Sequence, residues 1–348
     1  MKEEAIDLLK KLIATPSFSQ EEEQTARIIC DFLNEKNIFA QRVKNNVWAC
    51  NKHFDTAKPT LLLNSHHDTV RPTTAYTLDP FAPVEKNGKL FGLGSNDAGA
   101  SVVSLIQAFC AFYDKKTNYN LILALSAEEE TTGENGIGLL LRSLPKIDCA
   151  IVGEPTQMKV AIAERGLMVL DCTAYGKAGH AARNEGVNAL YLAMDDMNRL
   201  RNFQFDRKSP LMGDVKLTVT QIHAGTQHNV VPAECHFVVD VRPTDVYRNE
   251  EILAIIRQEV AGEVVPRSTR YGASSIDEKH RLVQTAKALD IECYVSPTTS
   301  DMVNMSFPAI KMGVGDSARS HQADEFIFLQ EIEEGIRQYI DFLHKFTN

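Results

Sequence analysis

Apolar positions along the chain follow two periods, and the places where one gives way to the other divide it. Ala5, Leu8, Leu9, Leu12 and Ile13 recur at helical spacing, and Pro16 closes that helix. Ser19 with Glu22 makes a capping box for a second helix carrying Ile28, Ile29 and Phe32. A strand or two is expected around Asn46-Val47-Trp48. The runs Leu61–Leu63 and Leu121–Leu125 are apolar at every position, which predicts strands buried on both faces of a parallel sheet. An almost wholly apolar helix, Val102 to Phe112, lies between them. A helix through Leu139-Leu140 and a strand at Ala150-Ile151-Val152 follow, so strands alternate with helices as in an α/β sheet.

Near Arg165-Gly166 the rhythm changes. Leu167 to Ala174, Val215 to Ile222 and Glu234 to Val241 alternate apolar and polar residues, as half-exposed strands do. Two helices, Asn188 to Leu200 and Glu250 to Glu259, are interleaved with them. The α/β pattern resumes with a helix from Arg281 to Leu289, strands at Ile291 to Val295 and Ala309 to Met312, and a last amphipathic helix carrying Ile332, Ile336, Tyr339, Ile340 and Leu343. The expected organisation is a mostly parallel α/β domain, residues 1–165 and 267–348, interrupted by a smaller α+β domain, residues 166–266.

Composition narrows the partners. A net charge of −9 argues against a nucleic-acid surface and against an anionic membrane. The start of the chain enters an amphipathic pattern directly, without the apolar core of a signal peptide, and no stretch approaches a membrane span, so a cytoplasmic protein is expected. Seven widely spaced cysteines suit free thiols and neither a disulfide framework nor a thiolate metal site. Any metal should therefore be held by His, Asp and Glu.

Those residue types cluster at strand ends. The strand Leu121–Leu125 runs through Ser126-Ala127 into Glu128-Glu129-Glu130. Alone, such a triplet reads as a solvated acidic loop. At the mouth of a buried strand its mutual repulsion calls for positive charge, and a metal ion is the strongest local source. Four other strand ends or loops carry candidates: His66 with Asp68, Asp97, Glu154, and His321. Residues two apart on an extended chain point the same way, so His66 and Asp68 can face one site, the carboxylate orienting the imidazole. His67 points away.

In this order the motifs resemble the di-zinc M20 family of metallopeptidases and amidohydrolases, and within it the acetylornithine deacetylases and their relatives. The resemblance spans nearly the whole chain. It rests on Asn64-Ser65-His66-His67-Asp68-Thr69-Val70, Gly92-Leu93-Gly94-Ser95-Asn96-Asp97, Ser126-Ala127-Glu128-Glu129-Glu130, Gly153-Glu154-Pro155-Thr156 and Ser320-His321-Gln322-Ala323-Asp324-Glu325. It implies one metal on His66 and Glu154, a second on Glu130 and His321, and Asp97 bridging them. Two divalent cations carry four positive charges, of which Asp97, Glu130 and Glu154 would cancel three and a bridging hydroxide the fourth. Oxygen and imidazole ligands suit zinc, with cobalt or manganese able to bind as well. The resemblance makes Glu129 the general base and Asp68 its neighbour in the catalytic set.

In the inserted domain, Gly176-Lys177-Ala178-Gly179-His180 resembles the family loop whose histidine reaches the partner subunit's active site; a surface loop is the competing reading. Gln227-His228-Asn229-Val230-Val231-Pro232 and Asp240-Val241-Arg242-Pro243 resemble family motifs that place Asn229 and Arg242 at the substrate. For Arg242 a strand-end salt bridge competes. Thr299-Ser300-Asp301 and Gly315-Asp316-Ser317 are expected to form wall elements and to support His321. By this resemblance the inserted domain is a ferredoxin-like lid through which a homodimer forms. Ala98-Gly99-Ala100, Leu93 and Val314 depart from the family's usual residues, and none of these removes a ligand or the base. The expected activity is hydrolysis of an N-acyl amino acid, N-acetyl- or N-succinyl-ornithine first, in arginine biosynthesis. A succinyl-diaminopimelate desuccinylase or N-acyl-lysine deacylase comes next, then a dipeptidase, and last a non-catalytic binding member of the fold.

Overall fold

Thr60–His66 and Asn120–Ser126 are buried at every position, and each splits its side chains between two cores. Leu61, Leu63, Leu121, Leu123 and Leu125 face one cluster, while Leu62, Ile122 and Ala124 face another. That division is the period of two of an extended chain with both faces covered. The computed structural model describes residues 1–183 and 185–348, and the chain divides into two units.

The first unit comprises Met1–Ile162, Ile276–Tyr294 and Ser300–Asn348. Its sheet runs in the order Gln41–Val43, Asn46–Cys50, Asn120–Ser126, Thr60–His66, Cys149–Val152 and Ala309–Lys311, then Val160–Glu164, which pairs through Ala161 with Lys311. The four strands from Asn120–Ser126 to Ala309–Lys311 are mutually parallel. The flanking pairs are antiparallel. The sheet is therefore mixed, and the expectation of a mostly parallel one holds only for its centre. One flanking pair, Gln41–Val43 with Asn46–Cys50, is joined by the short turn Lys44-Asn45, and a short turn makes antiparallel neighbours; the other two antiparallel pairs join strands distant in sequence.

The larger core is roofed by the helices Lys2–Ile13, Glu23–Glu35, Ala100–Phe112, Arg281–Ala288 and Leu329–Thr347. Ala100–Phe112 is buried along nearly its whole length, which accounts for its lack of a polar face. The expected capping box is not formed. The second helix starts at Glu23, Ser19 Oγ donates to Asp68, and the Glu22 carboxylate accepts from the amides of Gln20 and Glu128. Tertiary partners have taken both side chains from the helix end.

The second unit comprises Ala163–Ser275 and Val295–Thr299, against the 166–266 expected from the change of rhythm. Its sheet has the order Lys216–Ala224, Glu234–Arg242, Met168–Tyr175 and Glu263–Pro266, antiparallel throughout. With the helices Ala189–Asn202 and Asn249–Glu259 the element sequence is β-α-β-β-α-β, a split βαβ arrangement. Met168, Leu170, Cys172 and Ala174 alternate into its core against Phe237, Val239 and Val241. The seven cysteines are free thiols. Among the described residues no helix is long and apolar enough to cross a membrane.

Candidate metal centre

Parallel neighbours bring their carboxyl ends to one rim of the sheet, so the residues that follow Ser126 and Val152 become neighbours of His66. His66 Nδ1 donates to the main-chain oxygen of Asp68 at 3.0 Å. A carbonyl oxygen only accepts, so Nδ1 carries a proton and Nε2 is directed at the rim. Nε2 lies 3.2 Å from Asp97 Oδ1 and 3.8 Å from Glu154 Oε1. Beyond Asp97, His321 Nε2 lies 3.7 Å from Asp97 Oδ2 and 3.0 Å from Glu130 Oε2. Ligand atoms sharing one ion at about 2.0–2.2 Å stand roughly 3–4 Å from one another. The structure thus brings His66, Asp97, Glu130, Glu154 and His321 together, with the two oxygens of Asp97 facing two different histidines.

The chemistry of the set suits a cation. Glu154 Oε1 is buried and has no hydrogen-bond partner. Burial together with the charge of Asp97 pushes Glu154 up to about 8, although His66 and the buried Lys311 oppose the shift. Burial also raises Glu129 well above the carboxylate range and raises Glu130. The bond to Glu130 lifts His321 to about 9. Burial alone would lower His66, yet Glu154, Asp68 and Asp97 raise it well above its usual value. Carboxylates crowded out of water beside imidazoles forced to stay charged is the condition that bound divalent ions relieve. The candidate donor atoms fall into two groups, His66 with Asp97 and Glu130, and His66 with Glu129 and Glu154, each within 4.8 Å. Distance alone therefore admits Glu129 as a donor as well as a base.

Asp68 does more than face His66. Its Oδ1 is 3.4 Å from His66 Nδ1, but the ring's shorter contact is to the Asp68 backbone. The carboxylate accepts from the amides of Glu129 at 3.0 Å and Glu130 at 3.1 Å, and from Ser19 Oγ at 2.7 Å. It ties the His-x-Asp segment to the glutamate loop. Glu128, with φ of +56°, turns its carboxylate onto the backbone and side-chain nitrogens of Asn135. His67 lies between Thr25 Oγ1 and the Asn45 carbonyl, each 3.0 Å from a ring nitrogen. Its burial lowers it to about 4.

Asp301 takes a different partner from the one expected. Its Oδ2 accepts from Ser126 Oγ at 2.5 Å, and Ser126 Oγ also receives Asn64 Nδ2, so Asp301 braces the end of the Asn120–Ser126 strand. Sequence reasoning missed Glu22 and Glu325, both buried and both accepting backbone amides of ligand-bearing loops. Glu22 carried the local reading of a capping box, which hid its tertiary partners, and Glu325 closed the His321 motif with no local partner to mark it.

In the second unit, Gly179–His180 pairs antiparallel with Val230–Val231, and the Ala181 amide donates to the Asn229 carbonyl. His180 and Asn229 therefore share one exposed two-stranded ribbon, and His180 Nδ1 accepts from the Ala182 amide. Arg242 is held by Asp240 through two bonds, Nε to Oδ1 at 2.7 Å and Nη2 to Oδ2 at 3.1 Å. The strand-end salt bridge is present, which leaves Nη1 as the nitrogen outside that pair.

The chain belongs to the peptidase family M20/M25/M40, whose model matches residues 62–345. Solved structures with the same fold include an M20 family metallo-carboxypeptidase from Sulfolobus solfataricus, 15% identical, with 99% of each chain covered and a TM-score of 0.79. An aminopeptidase from Bacillus cereus is 14% identical, covers 100% of this chain and 99% of its own, and gives a TM-score of 0.79. A dinuclear metal-binding M20 peptidase from Bacillus subtilis is 15% identical over 99% of this chain and 97% of its own, with a TM-score of 0.75.

Proposed function

We propose that this chain is a two-metal amidohydrolase that removes the acyl group from an N-acyl amino acid, with N-acetyl- or N-succinyl-ornithine as first substrates. One observation carries the reaction class: the Asp97 carboxylate stands between His66 and His321, with Glu154 beside the first and Glu130 beside the second. His66 and Glu154 would hold one ion, Glu130 and His321 the other, and Asp97 would serve both. Zinc is the first choice and cobalt the second. When bound, such a pair polarises the scissile carbonyl and acidifies the attacking water.

Glu129 does the proton work. A carboxylate oxygen takes the proton of the attacking water as its oxygen bonds to the carbonyl carbon, and returns it to the amide nitrogen as the C–N bond breaks. The products are a carboxylate and a free amine. Asp68 keeps the Glu129 backbone in place.

The ornithine preference rests on the motif resemblance, and a place in arginine biosynthesis rests on that preference. A dipeptidase is the second reading, favoured by solved relatives described as peptidases. In this proposal His180 reaches the active site of a partner copy and Arg242, with Asn229, faces the substrate carboxylate. The nine-residue edge strand Lys216–Ala224 and the exposed Tyr191 and Met194 support a homodimer through the second unit. Assaying N-acetyl- and N-succinyl-ornithine, lysine and diaminopimelate beside dipeptides, with zinc and with cobalt, tests the reading. Turnover of dipeptides alone would replace it with the second, and sedimentation of monomer only would remove the role of His180.

A further inference from the structure

Glu325 lies four positions beyond His321 and is 2% exposed. Its Oε2 accepts from the Gly94 amide at 3.0 Å, and its Oε1 from the amides of Asn96 at 2.8 Å and Asp97 at 2.9 Å. Its main-chain oxygen accepts from Gly92 at 3.0 Å. One residue thus receives four amides of the turn that ends in Asp97. Gly94 makes the turn possible: it has φ of +73°, and a Cβ there would stand 2.6 Å from Thr69 Cγ2. The neighbouring Asp324 grips the amides of Thr77 and Leu78, so the chain just after His321 is fastened to two different segments.

The two halves of the centre depend on this grip unequally. His66 ends a buried strand and Glu154 follows one, so sheet hydrogen bonds hold them independently. His321 is 55% exposed on a loop, at φ of +59°. Besides the 3.7 Å approach of His321 to Asp97 Oδ2, the Glu325 carboxylate joins that loop to the Asp97 turn, and it does so through backbone amides. We infer that Glu325 is the positioning residue that holds Asp97 between the two histidines and so sets occupancy by two cations in place of one. The inference rests on the proposed function. A carboxylate that accepts several backbone N–H groups is a strong, charge-assisted anchor. Glutamine in its place presents an NH2 where an acceptor is needed, which leaves at least one buried donor unmatched.

The test titrates the metal-free full-length chain with cobalt alone, reading stoichiometry by equilibrium dialysis and ligand geometry by visible absorption. The wild type should take up two equivalents. Glu325→Gln should keep one at wild-type affinity and bind the second roughly 10–100-fold more weakly, with kcat falling and KM held. Glu325→Asp, which retains the charge, should recover part of the second site. Two equivalents at wild-type affinity in a folded Glu325→Gln chain would overturn the inference and leave the proposed hydrolase standing. A wild-type chain that binds no cobalt would overturn both. Should neither variant fold, hydrogen exchange on the metal-free wild type decides. Protected amides at Gly94, Asn96 and Asp97 support the inference, and exchange there at the rate of an unstructured chain overturns it.

Discussion

The Glu129 amide donates to Asp68 Oδ1 at 3.0 Å, which binds two motifs sixty-one positions apart in sequence into one piece. Asp68 therefore acts through the placement of Glu129 and Glu130 as much as through His66. Asp68→Ala would leave both amides unmatched, and activity should fall about 10–100-fold. Steady-state kinetics beside metal content check this, and a variant with wild-type kcat would contradict it.

Glu129→Gln keeps the shape of the side chain and removes its proton-carrying oxygen. Turnover should drop by about 10²–10⁴-fold while cobalt or zinc content stays near that of the wild type. Loss of one metal equivalent instead would mark Glu129 as a ligand, the alternative that its distance to His66 and Glu154 admits.

Removing metal should expose the cost of the crowded carboxylates. Glu154 binds its proton up to about pH 8 in the metal-free fold, against an ordinary 4.5. The folded state thus holds more protons than the unfolded one in that window, and its stability falls as pH rises through it. Chelated protein should melt lower at pH 8.5 than at pH 6. Added zinc should reverse the loss, by about 2.7 kcal/mol at a hundredfold excess over its dissociation constant. Calorimetry with and without chelator measures both effects.

His67 has the opposite sign. Burial lowers it to about 4 from an ordinary 6.5, so between those values the unfolded chain binds a proton that the folded chain refuses. Stability present above pH 6.5 is lost as pH falls toward 4, by an amount on the order of 3 kcal/mol. The raised glutamates of the centre slope the other way, so the useful quantity is the difference between wild type and His67→Asn in urea unfolding from pH 7 to pH 4.5. Parallel slopes would rule out the His67 contribution.

Leu123 packs inside the larger core with no exposed surface. Leu123→Ala should destabilise the chain by about 2–5 kcal/mol. Denaturant midpoints with an unchanged m-value would register it.

What was legible in the sequence was what repeats locally. Leu61–Leu63 and Leu121–Leu125 announced buried strands because every position is apolar, and Ala100–Phe112 announced a buried helix for the same reason. The five candidate ligands were legible because each follows such a strand or sits in a loop of recognisable composition. The tertiary roles of Glu22 and Glu325 were not, since the loop amides they receive lie more than a hundred positions away. Ser19 and Glu22 have the spacing of a capping box, and nothing nearby reveals that Asp68 and Glu128 claim them first. The antiparallel edges of the first sheet were hidden likewise, because strand direction depends on which strands meet and not on the residues within any one.

Glu130 and His321 meet across 191 positions of chain. During synthesis the glutamate loop emerges long before the histidine that completes its site, and in the interval the half of the centre that needs both cannot close around an ion. Capture of the second ion is thereby postponed until the last loop has docked. Cleavage anywhere between those residues that lets the pieces part would release the ion that Glu130 and His321 share.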